Sequence, residues 1–98
     1  MDFQIKAGKD VVNQWVDVTV KGGAGQLISN VTTALDGFPI GNDNLSPPEG
    51  SYQRTWSQVG SGVPGATHKV EVTAIDHNGK QEAASKTWQD QGGSVSGP

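Results

Sequence analysis

Val16, Val18 and Val20 alternate with Trp15, Asp17 and Thr19, and this spacing restricts the backbone more than any other feature of the chain. Successive side chains of a strand leave opposite faces, so a period of two fits a sheet with one dry face and one wet face; it does not fit a helix. Gly22, Gly23 and Gly25 end the run. The pattern returns over Lys69–Ile75, with Val70, Val72 and Ala74 inward and Lys69, Glu71 and Thr73 outward.

Weaker runs fill the rest. Phe3 to Ala7 predicts a first strand, and Leu27 to Leu35 another with Val31, Thr33 and Leu35 inward. Tyr52 to Val59 puts Tyr52, Arg54, Trp56 and Gln58 on one side of a strand. Lys80 to Trp88 runs back after a turn, with Glu82, Ala84, Lys86 and Trp88 on one face and Ala83, Ser85 and Thr87 on the other. That turn is Asp76-His77-Asn78-Gly79, where Asn-Gly signals a hairpin because both residues tolerate positive φ.

Asp36-Gly37 predicts a second turn before a short Phe38-Pro39-Ile40 piece, which Pro39 confines to a sheet edge. Gly41 to Gly50, with Pro47-Pro48 inside, reads as a long polar connection from one sheet to the other, and Gly60 to Gly65 as a second loop. Gln91 to Pro98 has no apolar cluster and reads as a disordered Gly/Ser linker. A chain of 98 residues holds one domain. The expected organisation is therefore an all-β sandwich over residues 1–90, of about seven antiparallel strands in Greek-key order, with a tail over 91–98.

Charge and composition exclude several function classes. The net charge is −3, and Lys6, Lys9, Lys21, Arg54, Lys69, Lys80 and Lys86 are scattered. Phosphate neutralisation needs a concentrated basic face, so neither nucleic acid nor an anionic membrane surface is an expected partner. No apolar run approaches the roughly 18 residues that span a bilayer, so no membrane insertion is expected. The absence of cysteine removes disulfides, thiolate metal sites and a cysteine nucleophile together. Met-Asp-Phe-Gln-Ile-Lys at the start has no apolar signal core, which fits a mature chain with an added Met or a segment of something longer.

Two stretches carry a resemblance. Pro64-Gly65-Ala66-Thr67-His68-Lys69-Val70-Glu71-Val72-Thr73-Ala74-Ile75-Asp76-His77-Asn78-Gly79-Lys80 resembles the last hairpin of bacterial immunoglobulin-like and PKD-like domains. His68 stands where those families often place a Tyr that ties the preceding loop to the strand. Val31 to Gly41, with Leu35-Asp36-Gly37-Phe38-Pro39-Ile40-Gly41, is similar to a hairpin common in bacterial immunoglobulin-like repeats. The resemblance implies an all-β, immunoglobulin-like β-sandwich, and it leaves open the roles of spacer, adhesin stalk, enzyme appendage or phage-virion decoration.

Candidate sites are few. Trp15, Tyr52 and Trp56, with Trp88 and Phe38, offer aromatic faces on which sugar CH groups stack, and Trp15 lies on the polar row of its strand. The alternative is packing, one Trp plugging the core and another covering an open edge. Asp36, Asn42, Asp43 and Asn44, and Asp76 with Asn78, are hard oxygen ligands, but their spacing matches no calcium loop and suits turns. His68 and His77 are too few for a metal site without carboxylates from elsewhere, so no metal and no cofactor is expected. Ser57 or Ser61 with Asp76 and a histidine would sketch a hydrolase triad, yet no Gly-x-Ser-x-Gly elbow supports one. Asn30-Val31-Thr32 and Asn44-Leu45-Ser46 match the glycosylation pattern, which arises readily by chance in such a chain.

The expected function is that of a non-catalytic immunoglobulin-like module of a secreted or cell-surface protein, extracellular or in the cell envelope. It would act as a spacer or interaction domain, with neighbouring domains or a protein as partner. Glycan binding is the second reading; a phage or pilus subunit that takes a partner's strand on an exposed edge is the third.

Overall fold

The computed structural model describes residues 1–9, 14–57 and 67–89. These hold seven strands: β1 (Asp2–Lys9), β2 (Gln14–Lys21), β3 (Ile28–Leu35), β4 (Phe38–Glu49), β5 (Ser51–Ser57), β6 (Thr67–Asp76) and β7 (Gln81–Gln89). One sheet has the order β1-β2-β5 and the other β4-β3-β6-β7. Every pairing is antiparallel, and the chain changes sheet between β2 and β3, β4 and β5, and β5 and β6.

The valine rows explain why the sheets stack. Val16, Val18 and Val20 of β2 meet Val31 of β3 and Val70, Val72 and Ala74 of β6, and all are buried. Each valine removed from water contributes about 1.5 kcal/mol or more, and β-branched side chains stand well on a pleated surface. Among the described residues no Phe, Tyr or Trp ring lies in this centre, and its largest fully buried side chain is Ile28. Phe3, Ile5, Leu35, Leu45, Tyr52, Trp56 and Trp88 surround it, each partly buried.

Two expectations need correction. Gly41–Glu49 is not an intersheet connection; it continues β4, paired with β3 as far as Ile28↔Glu49, and the crossing shrinks to Gly50. The strand hides from a hydropathy pattern because it is a sheet edge with a polar outer row, where Asn42 and Asn44 accept hydrogen bonds from the Asn30 side chain at 2.9 and 2.8 Å. Pro39, Pro47 and Pro48 are tolerated along such an edge.

Ile28 is buried, although strict alternation from Val31 turns it outward. A register shift between Ile28 and Asn30 rotates it into the core. The second correction lies at Asn78-Gly79, where only Gly79 has positive φ, at 86°. Its N–H donates to the Asp76 carbonyl at 3.0 Å, and the Asp76 carboxylate accepts from the Asn78 and Lys80 N–H groups at 2.9 Å each. The hairpin is present; its turn is an Asp-capped one with a single left-handed glycine. Positive φ at two successive residues occurs instead at Asp36 (51°) and Gly37 (85°), the geometry of a two-residue type I′ hairpin.

The expected Gly60–Gly65 loop, the 91–98 tail, and Gln58, Val59 and Ser61 lie outside the described residues. Met1 sits beside Glu82 at one pole, whereas β7 ends at Gln89, opposite Thr67, at the other. Seven strands alternating in direction require this separation, and the body measures 43 × 22 × 18 Å.

Candidate functional site

A connected group of chemically capable side chains lies on the seam where edge strand β4 faces edge strand β5. Pairing of Val16 with Trp56, Val18 with Arg54 and Val20 with Tyr52 sets Tyr52, Arg54 and Trp56 on the inward face of β5. Pairing of Val31 with Asp43 and Thr33 with Gly41 sets Asp43 and Gly41 on the inward face of β4. The two rows interlock. Trp56 lies against Gly41, where an added Cβ would come within 2.7 Å of the indole Cζ2, and its Nε1–H donates to the Ile40 carbonyl at 3.2 Å.

Asp43 is the hub of the polar half. The Tyr52 hydroxyl donates to Asp43 Oδ2, and Arg54 Nη1 reaches both carboxylate oxygens, at 3.2 and 3.0 Å. The Arg54 guanidinium carbon lies 4.8 Å from the centre of the Trp56 ring, a cation–π distance. The Tyr52 hydrogen bond, aided by Arg54, holds the Asp43 carboxyl below the usual carboxylate range. Burial, then the neighbouring Asp43 carboxylate, pushes the Tyr52 phenol well above its usual range. Both shifts favour one arrangement, a phenol donating to a carboxylate.

The sequence-predicted candidates therefore separate. Tyr52 and Trp56 share this seam, whereas Trp15 pairs with Ser57 and stands on the outer face of the β1-β2-β5 sheet. There the half-buried Trp15 covers Gly8, whose position admits no Cβ without collision with the ring. Asp17, in the next row, accepts from Gln53 Nε2 and from Thr55 Oγ1, the latter at 2.7 Å. Trp88 lies at the far side of the sandwich, 5.5 Å centre to centre from buried His68. Phe38 is 73% exposed at the tip of the β3–β4 hairpin.

The carboxylates and histidines hold turns. Asp36 Oδ2 lies 2.7 Å from His68 Nδ1 and Oδ1 accepts from the Lys69 N–H at 2.8 Å, so His68 ties the β3–β4 hairpin to β6. The His68 hydrogen bond lowers the Asp36 pKa. Whether His68 also ties the preceding loop falls outside the described residues. His77 Nδ1 receives the Leu27 N–H at 3.2 Å, and Asp76 receives the Gln26 amide at 3.0 Å. Asp76 and His68 occupy opposite ends of β6, and Ser57 lies on an outer face, so these residues form no triad. Among the described residues no three His, Cys, Asp or Glu side chains gather to hold a metal.

Sequence reasoning missed Asp43 as the partner of Tyr52 and Arg54. The one available signal was the shared face of Tyr52, Arg54 and Trp56; its counterpart stayed hidden while β4 read as a loop.

No protein-family model matches the chain, and no curated protein matches it significantly. Among solved structures it is similar to fibronectin(III)-like modules of Clostridium thermocellum CbhA, with 20% identity and a TM-score of 0.52 over 90% of this chain and 97% of that one. At that identity the likeness shows the fold, an immunoglobulin-like β-sandwich with three strands in one sheet and four in the other.

Proposed function

We propose that the chain is a non-catalytic immunoglobulin-like module of a secreted or cell-surface protein, acting as a spacer between neighbouring domains. The observation that carries this reading is the placement of residue 1 and residue 89 at opposite poles of a body 43 Å long. A unit entered at one pole and left at the other adds its length to whatever it joins. The reactive side chains support it from another side: Asp43, Tyr52, Arg54, Asp36 and His68 are all engaged in binding one strand or turn to another. The extracellular location rests on the likeness of the two hairpins to bacterial immunoglobulin-like domains, and residues 91–98 serve as the linker.

With a fluorescent protein fused to each end, single-molecule energy transfer should report a narrow separation. A broad, solvent-dependent distribution would remove the spacer reading. Turnover of chromogenic esters, glycosides or phosphates, lost on His68→Ala or Asp43→Ala, would remove the non-catalytic one.

Trp15 supports a second reading, glycan binding. Its indole rests on Gly8 on a flat outer face, one row from the hydrogen-bonding set Asp17, Gln53 and Thr55, which could receive sugar hydroxyls. Soluble polysaccharides should then change tryptophan fluorescence in the parent chain and leave Trp15→Ala unaffected. The reading fails if no glycan shifts the parent spectrum.

A further inference from the structure

Four strands border the two sheets, and they differ in how far they resist another strand. β4 carries Pro39, Pro47 and Pro48 and a register shift against β3 between Thr33 and Ala34. The outer-face rows of β1 and β5 carry Lys6 and the bonded Gln53–Asp17–Thr55 set, and the inward row of β5 is locked to β4. β7 has neither a proline nor a register shift, and its guards are two charges of opposite sign, Glu82 and Lys86. Gln81–Gln89 contains neither Pro nor Gly, and it pairs with β6 in unbroken register from Thr67↔Gln89 to Ile75↔Gln81. Among the described residues its other side borders no strand. A long, straight edge of this kind is a template for a further strand unless charge or shape blocks it.

The charges of β7 select the strand that fits. Glu82 and Lys86 are four residues apart and so project from the same face. We propose that β7 is a self-association edge, pairing antiparallel with β7 of a second copy about a twofold axis through Ala84. In that register Ala84 meets Ala84, Glu82 meets Lys86 of the second copy, and symmetry repeats the ion pair. On the other face Ala83 meets Ser85, small and exposed side chains that admit close approach. Neighbouring registers lack this fit. An axis through Ser85 sets Glu82 against Trp88 and Lys86 against Ala84, while an axis through Ala83 sets Lys86 against Lys80. Like charges opposed across a strand pair destabilise it, so the Ala84 register is favoured by both attraction and exclusion.

Glu82 already receives the Met1 ammonium at 3.1 Å and the Gln26 amide at 3.4 Å. A carboxylate offers about four acceptor sites, so a further ammonium from one side remains compatible. Lys86 is exposed and makes no hydrogen bond or ion pair among the described residues. Its charge is therefore available to a second copy. The pairing is independent of the spacer reading, because a monomeric spacer and a dimeric one have the same poles.

Sedimentation equilibrium of the full chain from micromolar to millimolar concentration tests this edge. The expected result is a monomer–dimer equilibrium weakened by salt, with amides of β7 gaining exchange protection as concentration rises. Lys86→Glu and Glu82→Lys should each weaken the dimer about tenfold or more, since both symmetric pairs become repulsive. Mixing the two variants should restore association, because every cation then faces a carboxylate. Lys86→Glu alters an exposed side chain, so its folding is secure even if Glu82→Lys unfolds. A strict monomer at millimolar concentration overturns the proposal, as does a dimer indifferent to Lys86→Glu. Where both variants fold, a mixture no tighter than either variant alone overturns it as well.

Discussion

The valine centre and the β4–β5 seam join the same two sheets by different means. In the centre Val16, Val18, Val20, Val31, Val70 and Val72 are interchangeable contributors to one apolar volume. On the seam each side chain has specific partners: Trp56 has Gly41 and the Ile40 carbonyl, and Tyr52 and Arg54 share Asp43. The centre makes two sheets stack. The seam decides which edge strand closes which side, a directional task that non-directional apolar burial cannot perform.

The difference is testable by truncation. Trp56→Ala should cost about 3 kcal/mol, the low end for a large aromatic because the ring is only half-buried, and Val18→Ala about 2 kcal/mol, both from urea unfolding midpoints. Their spatial signatures should differ more than their sizes. Trp56→Ala should accelerate amide exchange selectively in β4, whereas Val18→Ala should accelerate it throughout both sheets. A uniform response to Trp56→Ala would erase the distinction between centre and seam.

Gly41→Ala sharpens the test because it adds an atom to the seam instead of removing one. Gly41 lacks a positive φ, so the backbone accepts alanine, but the new Cβ would lie 2.7 Å from Trp56 Cζ2 and 3.2 Å from Arg54 Nη1. Displacing the indole should cost about 2 kcal/mol. Gly50→Ala meets open space and should be almost neutral. In a Trp56→Ala background the Gly41→Ala penalty should largely vanish; additive losses would mean that ring and glycine are not a matched pair.

The polar half of the seam responds to pH with opposite signs at its two partners. The Asp43 pKa is lowered by folding, so its contribution is present above the usual carboxylate range and is lost as pH falls through the lower folded value. The Tyr52 pKa is raised by folding, so its contribution is complete below about 10 and is lost as pH climbs toward the folded value. Ultraviolet titration of the single tyrosine should show phenolate absorbance delayed to strongly alkaline pH, and Asp43→Asn should bring it back toward an ordinary phenol. Tyr52→Phe, which deletes only the hydroxyl, should cost about 1 kcal/mol. An ordinary phenol titration in the parent chain would show that Tyr52 and Asp43 are not joined in solution.

How much of each region was legible follows from this same division. Alternation identified Val16, Val18 and Val20, then Val70, Val72 and Ala74, then Val31 and Thr33, because burial on one sheet face imposes a period of two. It failed at Ile28, where a bulge shifts the parity. On the seam it recovered half a row, Tyr52-Arg54-Trp56, and lost the partners, because β4 is a polar edge with two adjacent prolines. Trp15, Tyr52 and Trp56 were grouped by chemistry alone. Which of them share a face depends on the β2–β5 register, Val16↔Trp56 and Trp15↔Ser57, and strands separated in sequence by two others carry no local record of how they pair.

One residue puts the two modes of joining in conflict. Thr33 is 2% exposed in the valine centre, and its Oγ1 has no hydrogen-bond partner among the described residues. A hydroxyl in an apolar volume loses its water without replacement, whereas a valine of nearly equal shape loses nothing. Thr33→Val should therefore raise stability by about 1 kcal/mol, read as a higher urea midpoint at unchanged m-value. The register shift between Thr33 and Ala34 breaks the β3–β4 pairing beside this hydroxyl. A stabilised variant means that the centre is generic and gains from one more valine; a destabilised one means that directional bonding extends into the centre, and the contrast with the seam is then one of degree.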